Sequence, residues 1–208
     1  MKISNLEQLR EIYGEAHPAT AEKKSATLIK KSVDFITKSP FIILSTASAA
    51  GLITCSPKGD APGFVYVQDK KTIFIPDRPG NKLIDGHKNI LENPYIGLIF
   101  FVPNTRETLR INGKAELRND HELLNRLEAR GRPASLVTKI TVEESFFHCG
   151  KAIIRANLWN PDSWEEPKKI SFGEMLVGTN ENKKNGLINK AKAKMIDIAI
   201  ENDYKKNL

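Results

Sequence analysis

The chain has 208 residues, 40% of them hydrophobic and 27% charged, which is the composition of a globular protein large enough for one sizeable domain. No apolar run approaches the ~20 residues that cross a bilayer, and the amino terminus lacks the apolar stretch of a signal peptide, so we expect no membrane partner. The formal charge is +7, but the excess lysines lie mainly in the two terminal segments, where a solvated helix face is the simpler interpretation, and we expect no nucleic-acid partner.

Two amphipathic helices are predicted before the first strand. Apolar residues at helical spacing predict a helix over 5–13 with Asn5 as its N-cap. A second helix is predicted over 18–39, where a Ser-Pro pair would stop it. Together they form the predicted amino-terminal helical cover, residues 1–39.

Seven short runs, rich in apolar, β-branched and aromatic residues, predict a barrel of about six antiparallel strands, joined mainly by hairpins. The runs are 41–46, 52–56, 64–67, 72–75, 95–102, 108–117 and 136–142. Helices are predicted over 81–91, 120–130, 146–156 and 190–204, with an ordered loop over 157–169. The fold class is therefore mainly β with peripheral α-helices, in which residues 40–156 form a small barrel. The last predicted segment, residues 157–208, packs on the barrel or on a partner within a single domain.

The turn after the fourth run combines two cations with a predicted helix start. Gly80 allows a tight bend, and Asn81 is a good N-cap residue. Arg78 and Lys82 then lie beside the unpaired N–H groups of a new helix, which suits an oxyanion such as a phosphate. The alternative is an ordinary solvated connection between a strand and a helix.

Several sequence blocks resemble the flavin split-barrel proteins of the pyridoxamine 5′-phosphate oxidase family, in an FMN-binding branch distinct from the oxidase proper. The blocks follow in order along the chain: 56–64 (SPKGDAPGF), 75–82 (IPDRPGNK), 89–94 (NILENP), 107–115 (ETLRINGKA) and 146–155 (FFHCGKAIIR). The resemblance implies a split β-barrel and a homodimer with FMN at the subunit interface. It departs at the carboxyl end, where a lysine-rich helix replaces the Trp and Arg pattern of the oxidase proper, so oxidation of pyridoxamine phosphate is not expected.

The resemblance also implies which residues hold the cofactor. One subunit would bind the FMN phosphate through its strand-turn-helix segment and through a basic residue on an earlier strand, while the partner supplies a polar side chain near the flavin ring. The residues that match are Lys58, Pro76, Asp77, Arg78, Asn81, Lys82, Thr108 and Arg110. Lys151 and Arg155, one helical turn apart, are candidates for the substrate side or for an exposed basic edge.

The function implied is that of an FMN-dependent oxidoreductase, with hydride transfer through flavin N5, an unknown small-molecule substrate and NAD(P)H as one candidate donor. The alternative is a non-enzymatic carrier of haem or flavin on the same barrel, with His148 or His87 as an axial ligand of the haem. Adjacent His148 and Cys149 are poorly placed for a nucleophile and base, so packing in the core or at an interface is the better interpretation. The histidines show no metal spacing, and we expect no metal. Two widely separated cysteines favour a reduced, cytoplasmic setting.

Overall fold

The computed structural model describes residues 2–18, 23–178 and 186–207. Its strands are β1 (Phe41–Ala47), β2 (Ile53–Gly59), β3 (Tyr66–Val67), β4 (Thr72–Asp77), β5 (Tyr95–Phe101), β6 (Thr108–Arg118) and β7 (Leu136–His148). Within these described residues they form one 7-stranded antiparallel sheet in the order β2-β1-β5-β6-β7-β4-β3. The predicted mainly-β split-barrel class is confirmed, with seven strands where about six were expected.

The described helices lie around this sheet and in the carboxyl-terminal segment. They are α1 (Leu6–Tyr13), α2 (Lys30–Ile36), α3 (Asp85–Glu92), α4 (His121–Arg126), α5 (Lys151–Arg155), α6 (Phe172–Gly178) and α7 (Gly186–Asn207), with a 3₁₀ turn over Pro161–Ser163. No helix in the described part of the chain has the length and apolarity of a membrane span. Asn5 caps α1 as predicted, its side-chain oxygen accepting from the backbone N–H of Gln8 at 2.9 Å.

The predicted second helix is wrong over residues 23–29. Ser25 instead exchanges two backbone hydrogen bonds with Ser145 of β7, at 3.0 and 2.7 Å, so this segment adds to the sheet before α2 begins at Lys30. The predicted helix start, residues 19–22, lies outside the described residues. A chain that pairs with a strand has committed its N–H and C=O groups and cannot also make helical bonds there.

Alternation along β6 separates the two faces of the sheet as predicted. Leu109, Ile111 and Ala115 are buried on the inner face, where they join the main hydrophobic core. Several element boundaries differ from the prediction, most clearly in β2, β7 and the helix after β7. Strand β2 continues through Pro57, which the outermost strand of a sheet tolerates, and β7 runs to His148, so the helix predicted over 146–156 shrinks to α5.

Two compact units account for the described residues. The first comprises residues 2–18, 23–78 and 82–159, and the second comprises 79–81, 160–178 and 186–207. Within the second unit α6 and α7 pack closely, because a Cβ built on Gly173 would lie 2.0 Å from the carbonyl oxygen of Ala193. The carboxylate of Asp197 on α7 accepts hydrogen bonds from the Ser171 hydroxyl (2.6 Å) and from the Gly173 N–H (2.8 Å), which ties the start of α6 to α7.

Candidate functional site

Two ion pairs join the end of β2 to the end of β4. Lys58 Nζ contacts the Asp77 carboxylate, and Arg78 Nε donates to Asp60 Oδ2 at 2.7 Å. Arg78 also donates through Nη1 to the Leu127 carbonyl oxygen at 2.8 Å. The four charged side chains are 15–25% exposed, so their charges interact more strongly than they would in water.

These contacts require the sheet to curl. Strands β2 and β4 lie near opposite ends of the sheet order. When the strand pairings are followed across the sheet from β2 to β7, Lys58 is aligned with Phe147, near the end of β7. Asp77 of β4 instead pairs with Leu136, at the start of β7. Contact between Lys58 and Asp77 therefore closes the sheet with a stagger along the strands, as tilted strands do in a barrel. Closure is what brings two cations from distant parts of the sequence into one place.

The helix after this turn begins later than predicted. Its first residue is Asp85, and Ile84 rather than Asn81 occupies the N-cap position without a side-chain cap bond. Lys82 is exposed and has a positive φ of 61°, so the chain bends sharply there before it becomes helical. The prediction that Asn81 caps this helix is wrong. Residues 79–81 group with the second unit, and a ligand role for Asn81 stays a prediction.

Helix α3 packs a polar side along the inner face of β1 and β2. The buried Asn89 amide donates to the Thr46 hydroxyl (3.0 Å) and to the Thr54 hydroxyl (3.2 Å). His87 Nε2 lies 3.9 Å from Asp77 Oδ1. Burial lowers the pKa of His87. The Asp77 carboxylate raises this pKa and the Lys58 ammonium lowers it, and the net shift is downward, so the imidazole is mainly neutral at pH 7. His87 therefore adds little positive charge to the two ion pairs at neutral pH.

Thr108 and Arg110 lie on the opposite face of the sheet from Lys58. Lys58 is level with the buried Leu109, and the residues flanking Leu109 point the other way. On this outer face the Arg110 guanidinium lies 5.5 Å from the centre of the Phe146 ring. Within one copy of the chain, the structure therefore does not bring Thr108 and Arg110 together with Lys58.

The outer face of β1, β2 and β5 is unusually apolar for an exposed surface. Strand alternation places six large apolar side chains on it: Phe41, Ile43, Ile53, Tyr95, Ile99 and Phe101. Phe41, Ile53 and Tyr95 are 40%, 74% and 56% exposed. Large apolar side chains left exposed on one face mark an interaction site on many soluble proteins. Thr108 and Arg110 lie beside it, because Arg110 pairs with Ile99.

The remaining candidates lie at the end of β7 and just after it. His148 and Cys149 are exposed, so they do not pack in the core of this copy of the chain, and packing at an interface stays a prediction. Lys151 and Arg155 are exposed on α5, and their substrate-side role stays a prediction. In the described part of the chain, no group of His, Cys, Asp and Glu side chains is arranged to hold a metal ion.

A cavity of about 390 Å³ lies elsewhere in the first unit, between α4 and the outer face of β4, β6 and β7. Its lining residues are Gln68, Phe74, Arg118, Asp120, Glu122, Leu123, Arg126 and Lys139. Each of its three cations already has a partner: Arg118 contacts Asp120, Lys139 contacts Glu116, and Arg126 contacts Tyr66. None of the predicted cofactor residues lines it, and we do not assign the cofactor to this cavity.

Sequence reasoning missed Asp60 of the candidate site, and it named His87 only as a candidate haem ligand in the carrier alternative. Asp60 stands two residues after Lys58 in the block SPKGDAPGF, and this spacing was the only available signal for it. The approach of His87 to Asp77 carried no signal in the sequence, because it depends on how α3 packs.

Comparisons with known proteins identify relatives of the first unit. A model of the family described as pyridoxamine 5′-phosphate oxidase matches residues 28–149. No curated protein sequence matches the chain.

Three similar solved structures illustrate the structural relatives. HupZ of Group A Streptococcus is 20% identical, with 58% of this chain and 93% of that chain covered and a TM-score of 0.48. A protein from Clostridium acetobutylicum related to general stress protein 26 is 15% identical, covers 57% and 86%, and has a TM-score of 0.45. An FMN-binding protein from Syntrophomonas wolfei is 9% identical, covers 68% and 95%, and has a TM-score of 0.45.

Proposed function

Because the chain belongs to the pyridoxamine 5′-phosphate oxidase family, whose model matches residues 28–149, we propose that it is an FMN-binding protein that acts as an oxidoreductase. The observation that carries the proposal is the meeting of Lys58 and Arg78 at the closure of the barrel. Two half-buried cations from separate strands, with the exposed Lys82 four residues after Arg78, form a donor set suited to a phosphate monoester.

The donor set fits the phosphate of FMN in number and kind. A phosphate monoester carries about −1.5 to −2 charges near pH 7 and offers three acceptor oxygens. A lysine has three N–H donors and an arginine five, so Lys58 and Arg78 can donate to the phosphate while keeping their present contacts. Lys58, Arg78 and Lys82 would hold the phosphate, with Pro76 and Asp77 shaping the strand end and positioning Lys58. FMN supplies hydride-transfer chemistry when bound, and the chain supplies placement and exclusion of water.

We propose further that the site is completed by a second copy of the chain. Thr108 and Arg110 lie on the outer face beside exposed apolar side chains, and burial of that face against another copy would place them at a subunit interface. The partner's Thr108 and Arg110 could then approach the flavin ring held by Lys58 and Arg78. Arg110 would stabilise negative charge near the ring, and Lys151 and Arg155 would meet an anionic substrate.

An absorption spectrum of the purified protein tests the proposed cofactor directly. Protein incubated with FMN and then freed of unbound ligand is expected to show flavin absorption bands and quenched flavin fluorescence. Parallel incubation with haem is the control, because a barrel that binds haem instead gives a Soret band. A Soret band without flavin retention would replace the FMN proposal with the haem-carrier alternative, and neither signal would contradict both.

A charge on the apolar face tests the proposed dimer. Ile43→Asp is expected to convert a dimer into a monomer, because Ile43 lies between Pro57 and Ile99 and a carboxylate buried there at an interface, without a partner, costs several kcal/mol. FMN binding is expected to weaken in the monomer, since Thr108 and Arg110 of the second copy no longer reach the flavin ring. The measurement is molar mass by light scattering alongside FMN titration. Ile12→Asp is the control: it places the same charge on α1, where Ile12 is 62% exposed, and is expected to leave the dimer intact. A monomeric wild type that binds FMN tightly would exclude the shared site.

A further inference from the structure

Both cations assigned to the phosphate already contact carboxylates of the same chain. The pairs are crossed: Lys58 and Asp60 lie two residues apart at the end of β2, and their partners Asp77 and Arg78 are adjacent at the end of β4. The Asp60 and Asp77 side chains are only 15% and 21% exposed, so water screens them incompletely.

The formal charges of these four groups cancel, with two cations balanced by two carboxylates. His87, 3.9 Å from Asp77, is mainly neutral at pH 7 and does not change this balance. A phosphate brought to Lys58 and Arg78 therefore meets two negative groups at close range as well as two positive ones. Among the three side chains proposed to hold the phosphate, Lys82 is the one that adds net positive charge.

Resting on the proposed FMN site, we propose that Asp60 and Asp77 are internal counter-ions that set its affinity for phosphate. In the empty site the two carboxylates keep the Lys58 and Arg78 side chains at the closure of the barrel. In the occupied site they repel the phosphate and so weaken its binding. The consequence is a cofactor that is bound reversibly and exchanges with the medium.

The role assigned to the two carboxylates differs from that of a ligand-binding residue. When a residue that donates to the phosphate is replaced, the affinity of the protein for FMN falls. When the charge of a counter-ion is removed, that affinity rises. An Asp→Asn substitution separates the two, because the amide keeps the shape and one acceptor oxygen for Lys58 or Arg78 but removes the negative charge.

The experiment compares FMN with riboflavin, which has the same ring system without the phosphate, by titration of flavin fluorescence. The variants are Asp60→Asn, Asp77→Asn and the double variant. Each single variant is expected to bind FMN about tenfold more tightly than wild type, with riboflavin affinity unchanged within about twofold. Asp85→Asn is the matched control: Asp85 is 59% exposed on α3 and pairs with Lys88, so the same change in net charge is expected to have little effect.

The possible outcomes separate this proposal from the proposed function. FMN binding by wild type with equal or weaker binding by the asparagine variants overturns the counter-ion role alone. FMN binding by the variants but not by wild type supports both proposals, and no binding by any of them overturns both. An equal gain for riboflavin also overturns the counter-ion role, since the effect would not depend on the phosphate. Asp60→Ser and Asp77→Ser remove the same charges and replace any asparagine variant that fails to fold.

Discussion

Gly113→Ala is expected to destabilise the first unit by about 3 kcal/mol or more, the upper range for forcing extra atoms into a packed interior. Gly113 lies in β6 at the irregularity of its pairing with β7, and a Cβ built there would lie 2.2 Å from the Thr141 carbonyl oxygen. The contact is with backbone of a paired strand, so β6 and β7 must separate to relieve it. In a unit of this size, the midpoint of thermal unfolding is expected to fall by about 6–12 °C.

Gly97→Ala is the matched control for this prediction. Gly97 lies in the neighbouring strand β5, and its added Cβ would lie 3.5 Å from Asn112 Oδ1, an ordinary van der Waals contact. The same methyl group is therefore expected to change the unfolding midpoint by no more than about 2 °C in either direction. Similar midpoints for the two variants, measured by circular dichroism, would show that β6 and β7 do not approach at Gly113 as described.

Arg78→Ala combined with Lys82→Ala is expected to weaken FMN binding by about two orders of magnitude or more. Each charge-assisted hydrogen bond to the phosphate is worth about 1.5–3 kcal/mol, and a tenfold change in affinity corresponds to about 1.4 kcal/mol. Riboflavin binding is expected to change little, because the ring does not depend on these side chains. Titration of flavin fluorescence with both ligands measures the difference.

Two further variants distinguish a loss of FMN binding from a loss of folding. Arg78 also contacts Asp60 and the Leu127 carbonyl, so its removal affects stability as well as binding. Lys82→Ala alone changes an exposed residue and is expected to weaken FMN binding about tenfold. Lys88→Ala, at a 60% exposed position on α3, is expected to have no effect. Unchanged FMN affinity in both Lys82 variants would remove Lys82 from the site.

The barrel could be predicted from the sequence because its signal is local. Alternation along β6 and the apolar runs of β1 and β5 are typical of half-buried strands whatever their partners. The end of β7 was mispredicted because a short apolar run such as Phe146-Phe147 suits a strand or a helix equally, and pairing with β6 decides between them.

The candidate site could be predicted only in part. Arg78 and Lys82 became candidates because they lie together in sequence, and Lys58 became one through the family resemblance; their ligand roles stay predictions. The pairing of Lys58 with Asp77, and of Asp60 with Arg78, depends on closure between segments about twenty residues apart, which no local pattern encodes. The predicted helix start failed for a related reason: Asn81 is a good cap residue, but Lys82 adopts a positive φ and delays the helix to Asp85.

The two outermost strands of the sheet limit how copies of this protein can associate. On one side β2 carries Pro57, which has no N–H to offer an incoming strand, and on the other β3 is only two residues long. Neither offers a long row of unpaired backbone groups for edge-to-edge extension into a continuous ribbon. Association is thereby directed to side-chain surfaces, and the sheet is protected against the open-ended strand addition that leads to aggregation.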